Sequence, residues 1–418
     1  MVNKQHGERR SITGILIRLT FGNLAYLGAQ FVAFVALAHW SSIAEVGRFS
    51  WALALTGPIF IFADMRTGQI QLSTPQHQVP YRTFWLQRLL AQMIAAPVAV
   101  ILGVLFAPDR DTLVIVIGLV ALKFLEGFIN VSIAEYMRVE ETGRVAAIQV
   151  TRGIFYASVF SVAVYVSGSA ATAVWCTAAA LLLPTAYGHW SLPRSTRARA
   201  SSWSGVVSLT RESWAIGLGF FVGSVTVNGP RFLIEAFHGV ESLGVFAAVF
   251  YVIILANTVV DSVTQGLMPR FSFYWRTGKI RRALVGAFRI CVLVGVIGLL
   301  ALLVSALAGG PLLALLYGPE YADGRPVLVA LFTYATLQYV SSALRSVLIA
   351  GGMRGGVFWI SFFTLTVTMA FAAWWVPGGG PESAGWALAV GQLTQMSVYF
   401  WLSGQHWRAA EPRKELTS

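Results

Sequence analysis

The sequence predicts an all-α polytopic membrane protein with about twelve transmembrane helices, in two six-helix lobes around a central hydrophilic cavity. Three observations predict it. Asp, Glu, Lys and Arg make up 11% of the 418 residues and hydrophobic residues 56%, whereas soluble domains carry about 25% charged residues. Apolar runs long enough to cross a bilayer as helix, about 20 residues, recur along the whole chain. The thirty Lys and Arg, against eighteen Asp and Glu, alternate between the loops in the manner of a membrane protein. So little charge cannot cover a water-facing surface, which excludes a soluble enzyme and a disordered protein.

The runs fall at roughly 13–38, 46–65, 84–106, 112–134, 146–167, 170–190, 212–236, 243–267, 286–307, 326–350, 355–377 and 384–404. Lys4, Arg9 and Arg10 precede the first. It is too long for a cleaved signal segment and no A-x-A site follows it, so it reads as a retained span. An even count puts both termini on one side. With that side cytoplasmic, 24 Lys and Arg fall in inside segments. They include Arg66, Arg82 and Arg88 in the second loop, and Arg270, Arg276, Lys279, Arg281, Arg282 and Arg289 in the eighth. Outside segments hold four: Arg48, Arg110, Arg231 and Arg325. This excess of inside cations sets the orientation. The expectation is a multi-pass protein of the inner membrane with both termini cytoplasmic. The +12 charge then belongs to the loops, and no nucleic-acid partner is expected.

Residues 1–190 form the predicted N-terminal lobe, 191–211 a basic, serine-rich cytoplasmic linker, and 212–418 the C-terminal lobe with its tail. Six spans on each side of the linker suit a parallel repeat. An offset of 197 residues pairs Gly22 with Gly219, Gly47 with Gly244, Phe49 with Phe246 and Asp64 with Asp261. The longest outside loop is expected at about 308–325.

Soluble-enzyme chemistry is absent. Cys176 and Cys291 lie in apolar runs and read as packing residues. The six histidines are scattered, without metal-ligand spacing, and there is no GxxxxGK[ST] motif. No catalytic residue, metal or cofactor is expected. Gly219 and Gly223 form a GxxxG pair, read as close packing within the bundle rather than a dimer face; a monomer is expected.

A charge inside a span costs about 2.5–3.5 kcal/mol on insertion scales, so such residues face a bundle interior or a wet cavity. Lys123 lies near the middle of the fourth span, too deep to reach either interface, with Glu126 and Asn130 at i+3 and i+7 on its face. A local neutralised pair is the alternative to a polar lumen. The first span carries Arg18, Asn23, Tyr26 and Gln30; the eighth Asn257, Asp261 and Gln265; the tenth Gln338, Ser341, Ser342 and Arg345; the twelfth Gln392, Gln395 and Tyr399. In the seventh, Pro230 removes a backbone hydrogen bond and is expected to kink the helix beside Arg231, with Glu235 in pairing range. The expected substrate-binding residues are Arg18, Asn23, Tyr26, Gln30, Lys123, Asn130, Arg152, Arg231, Gln338 and Arg345. Asp64, Glu126, Glu235 and Asp261 are the candidates for ion coupling. The surplus of Arg and Lys suits an anionic group such as phosphate.

Several segments together carry a family resemblance: VGRFSWALALTGPIFIFADMRTGQIQ (46–71), NGPRFLIEAFHGVESLGVFAAVFYV (228–252), DSVTQGLMPRFSFYWRTG (261–278), LYGPEYADGRPVLVALF (316–332) and SAGWALAVGQL (383–393). In this order they resemble the O-antigen and capsule-type polysaccharide flippases of the multidrug/oligosaccharidyl-lipid/polysaccharide (MOP) exporter superfamily. The first interspan loop departs, with SSIAEVG (41–47) where the family usually has an LGPEEFG-like turn. The resemblance implies two six-helix lobes around a cavity that opens to alternate sides. It implies transfer of an oligosaccharide on undecaprenyl diphosphate from the cytoplasmic to the outer leaflet, for surface polysaccharide biosynthesis. It implies no covalent chemistry, and glycosyltransferases and a polymerase as pathway partners. A cationic lumen in the family agrees with Arg18, Lys123, Arg152 and Arg345. Two other readings stay open: a cation-coupled small-molecule exporter of the same superfamily, and a membrane-embedded polymerase or acyltransferase. The latter lacks the large outer loop or carboxylate/His constellation it needs.

Overall fold

The structure, a computed structural model, describes residues 12–409, apart from the side chains of 12–20, 198, 255, 256, 258–269, 354, 355 and 409. It is all-helical: α1 (Ile12–Trp40), α2 (Ile43–Asp64), α3 (Thr67–Ser73), α4 (Tyr81–Phe106), α5 (Arg110–Arg138), α6 (Thr142–Ser167), α7 (Ala170–Trp190), α8 (Arg194–Ala198), α9 (Trp203–Arg276), α10 (Ile280–Tyr317), a 3-10 turn (Pro319–Gly324), α11 (Arg325–Ala350) and α12 (Arg354–Ala409).

Among the described residues, ten helices are long and apolar enough to span a membrane. Two of them are long enough for two crossings. At 1.5 Å per residue the 74 residues of α9 and 56 of α12 would run about 110 and 84 Å, against a hydrocarbon core of about 30 Å. Each is two helices joined at a glycine, Gly239 (φ 81°, ψ 173°) in α9 and Gly380 (φ 72°, ψ 179°) in α12. Counting each half separately restores the twelve spans read from the sequence. The positive φ explains the residue type, since a Cβ is strained there. The chain keeps its helical assignment through Pro230 and departs from helical geometry at Gly239.

The expected loops are more helical than their composition suggests. The linker 191–211 contains α8 and the first turns of α9, and the stretch 308–325 is filled by the end of α10 and the 3-10 turn. Asp109 caps α5, its Oδ1 accepting from the Thr112 amide at 2.7 Å.

Two compact units divide the chain: Met1–Ser41 with Leu55–Phe220, and Ser42–Ala54 with Phe221–Ser418. In the first, α1 packs on α6, and α5 on α4 and α7. Its core includes Phe84, Ile129, Tyr136 and Ile148. In the second, α11 packs on α10 and α12, around Ala287, Leu344, Val347 and Tyr399. Large apolar side chains nonetheless stand exposed along many helices, among them Leu105, Val166, Leu307, Leu315 and Trp374. Exposed apolar surface on this scale is the face a bilayer solvates.

One contact in the second unit mirrors the sequence offset. A Cβ on Gly47 would lie 1.9 Å from the Val240 carbonyl oxygen, and a Cβ on Gly244 would lie 2.3 Å from that of Ile43. The offset of 197 that pairs Gly47 with Gly244 also pairs Ile43 with Val240. The contact is therefore reciprocal, as at a two-fold axis.

Candidate functional site

The polar stripes of α1, α5 and α6 meet inside the first unit. The carboxylate of Glu126, on α5, is the centre. Lys123 Nζ, one turn back, lies 2.9 Å from Glu126 Oε2. From α1, the Tyr26 hydroxyl donates to Glu126 Oε1 and accepts from Gln30 Nε2 at 2.9 Å. From α6, Arg152 Nη2 lies 3.9 Å from the same carboxylate oxygen. The Arg152 guanidinium sits 3.4 Å over the Tyr26 ring, and its Nη1 donates to Asn130 Oδ1 at 3.0 Å. Gln149, one turn before Arg152, donates to Asn23 Oδ1 at 2.8 Å.

Local sequence explains why these groups converge. Asn23, Tyr26 and Gln30 share one face of α1. Lys123, Glu126 and Asn130 share one face of α5. Gln149, Arg152 and Tyr156 share one face of α6, and all three are buried. Gly153 lets α6 come close to α1: a Cβ there would sit 3.3 Å from the Ala25 carbonyl oxygen and the Tyr26 Cα. That approach places Arg152 on the Tyr26 ring, where a guanidinium gains from the aromatic face.

The charges do not cancel. Two cations share one carboxylate, and burial makes each charge dependent on its partners. Arg152 and Glu126 are 5% and 9% exposed at the side chain, whereas Lys123 is 25% exposed. Buried Arg152 Nε has no hydrogen-bond partner among the described residues. The arrangement is two cations held by one internal anion. Lys123 is the most accessible of its three charged side chains.

Other predicted residues stand elsewhere. Asp64, at the end of α2, pairs with Arg88 at 2.5 Å, and Arg88 also donates to Thr67 Oγ1 at 3.0 Å. Arg88 reads from sequence as a loop cation; it lies in α4, 2% exposed. In the second unit, Arg231 is buried over the Phe250 ring at 4.6 Å, with Nη1 3.5 Å from Ser50 Oγ. Glu235, four residues on, makes interactions of its own. Asn257 donates to Gln338 Oε1 at 3.4 Å, and Arg345, half-buried, donates to Ser342 Oγ at 3.4 Å. The side chains of Arg18 and Asp261 lie outside the described residues. Sequence reasoning named Arg152 as a substrate-binding candidate and missed Gln149. The signal was the spacing of polar residues 149, 152 and 156 on one face.

Among the described residues no group of His, Cys, Asp and Glu is placed to hold a metal.

No family model matches the chain. It is 21% identical over 384 residues to the capsular polysaccharide biosynthesis protein CapF of Staphylococcus aureus, covering 89% of this chain and 94% of that one. Its fold matches the inward-facing conformation of a multidrug resistance MATE family transporter of the MOP superfamily, with a TM-score of 0.70 at 12% identity, over 97% of this chain and 100% of that one. The outward-facing conformation of such a transporter matches at 0.64 and 14% identity, over 95% and 96%. A MOP superfamily transporter from Pyrococcus furiosus, described by a reverse polarity of its binding pocket that suggests a different function, matches at 0.66 and 14% identity, over 96% and 97%. The resemblance carried by the five sequence segments is thus borne out: this chain has the fold of the MOP-superfamily transporters and is similar along most of its length to a capsular polysaccharide biosynthesis protein.

Proposed function

We propose that this protein is a flippase that moves oligosaccharides, carried on a polyprenyl diphosphate, across the cytoplasmic membrane by alternating access. The observation that carries the proposal is the near-full-length similarity to CapF on a transporter fold. The cation surplus around Glu126 supports it, because Arg and Lys are phosphate-binding side chains. Sugars and phosphates cannot enter hydrocarbon unaided; a polar protein interior replaces their hydration while the polyprenyl tail stays in lipid. No covalent step is needed.

In this reading, substrate phosphate and the Glu126 carboxylate compete for Lys123 and Arg152. Protonation of Glu126 releases both cations to the substrate, and loss of the proton returns them. Glu126 is thereby the ion-coupling residue, whereas Asp64 is committed to Arg88.

The test is a lipid extract from cells lacking the protein. Mass spectrometry is expected to show one complete oligosaccharide unit accumulating on its diphosphate carrier, with surface polysaccharide lost. An unchanged lipid pool with normal surface glycan overturns the proposal. It favours the small-molecule exporter reading, which the multidrug neighbours support.

The proposed orientation has its own check. With exposed Cys176 replaced by alanine, Asp109→Cys and Gly379→Cys are expected to react with an impermeant thiol reagent from outside, and Arg197→Cys and Lys279→Cys only after permeabilisation. Outside labelling at 197 refutes the topology.

A further inference from the structure

A second cationic site lies in the other unit, apart from Glu126. A cavity of about 670 Å³ opens where the end of α9, the start of α10 and the end of α12 meet. Four arginines line it: Arg270 from α9, and Arg281, Arg282 and Arg289 from α10. Arg270, Arg282 and Arg289 are exposed. Arg281 is fixed against the wall by stacking over Trp407 of α12 at 4.8 Å. From Ser262 to Pro319 the sequence has no Asp or Glu, while Arg276 and Lys279 add two more cations. The cavity thus has a strong positive field and no acid on α10 or on the end of α9 to quench it.

Its walls continue into hydrocarbon-facing surface. Val285 lines the cavity, and from it an exposed apolar stripe runs through Phe288, Val292, Val296, Leu299 and Leu303 to Leu307. At 1.5 Å per residue the stripe is about 33 Å long, the thickness of a bilayer's hydrocarbon core. Arginines at one end of such a stripe, with a tryptophan beside them, sit at the depth of lipid headgroups. Basic pockets between transmembrane helices hold the headgroups of anionic lipids.

We infer that this cavity binds the phosphate of an anionic membrane phospholipid, whose acyl chains lie along α10. The ligand belongs to the bilayer, and the site is separate from transport at Glu126. The chemistry is shared with two other sources, free phosphate and the polyprenyl diphosphate itself, so the experiment carries an arm for each.

The purified protein is titrated in detergent with phosphatidylglycerol, cardiolipin, phosphatidylcholine, undecaprenyl diphosphate and inorganic phosphate, and adducts are read by native mass spectrometry. The comparison is the variant Arg270→Gln, Arg282→Gln, Arg289→Gln, which replaces three exposed side chains. Phosphatidylglycerol or cardiolipin adducts are expected on the wild type, reduced at least ten-fold on the variant, with phosphatidylcholine retained by neither. Equal retention by both proteins overturns the site. Displacement of the lipid by millimolar inorganic phosphate shows an anion site that does not recognise the acyl chains, and overturns its assignment to lipid. Arginine-dependent preference for undecaprenyl diphosphate over both phospholipids reassigns it to the transported lipid.

Discussion

Replacing Glu126 with alanine is expected to destabilise the protein by about 3–5 kcal/mol, the loss incurred when one partner of a buried ion pair is removed. The carboxylate is the shared partner of Lys123, Arg152 and Tyr26. Without it, two cations face each other in a packed interior and the Tyr26 hydroxyl loses its acceptor. Lys123→Met is expected to behave differently. Glu126 then keeps Arg152 and Tyr26, so folding survives while transport, if it uses the surplus cation, is lost. Thermal unfolding in detergent separates the two effects, and surface polysaccharide reports transport. Combining Lys123→Met with Glu126→Gln is expected to recover part of the stability lost in Glu126→Ala, since one unpaired cation remains instead of two. If Glu126→Ala proves no less stable than Lys123→Met, the carboxylate does not hold the cluster together. If Lys123→Met exports normally, the deep lysine is structural.

Gly47→Val and Gly244→Val are expected to destabilise the second unit at or above the upper end of the range for overpacking, about 1–3 kcal/mol. The obstruction is backbone: a carbonyl oxygen stands 1.9 Å from where the Cβ of residue 47 would lie, and another 2.3 Å from that of residue 244. No rotamer change relieves such a clash. The start of α2 has to part from the α9 segment after Gly239. Gly57→Ala in α2 is the control: a Cβ there meets nothing within 4 Å, and alanine is the better helix former. Its unfolding midpoint is expected to match or exceed the wild type. Equal midpoints for Gly47→Val and Gly57→Ala would mean that the reciprocal contact does not limit stability. The pairing matters beyond stability, because both substitutions strike the same local two-fold and are expected to be strongly non-additive.

The architecture was legible in the residue order because its causes are local. Each span needs only its own apolar length, and each loop only its own lysines and arginines. The site was half legible for the same reason. Asn23, Tyr26 and Gln30, and likewise Lys123, Glu126 and Asn130, lie at helical spacing, so each face could be read separately. Arg152 was legible as a binding candidate but its partners were not, Gln149 was missed, and Arg88 was obscured by its nearness to a charged loop, which made a buried arginine resemble a loop cation. Pro230 drew attention as the site of a kink because a proline inside a span stands out in the sequence; Gly239, where α9 leaves helical geometry, is one of forty glycines and carries no such mark.

What residue order alone settles is thus the number of spans, their alternation of charge and the presence of deep polar groups. Partnership between those groups waits for the packed chain. Glu126 meets Arg152 because α6 closes on α1 at Gly153, and Asp64 is diverted to Arg88 because α4 passes beside the end of α2. Hydropathy and helical period act within one helix; Coulomb attraction and steric fit act between helices that lie far apart in the chain. A 2.9 Å ion pair can be guessed at i+3, but the competitor that gives it a surplus charge comes from another helix.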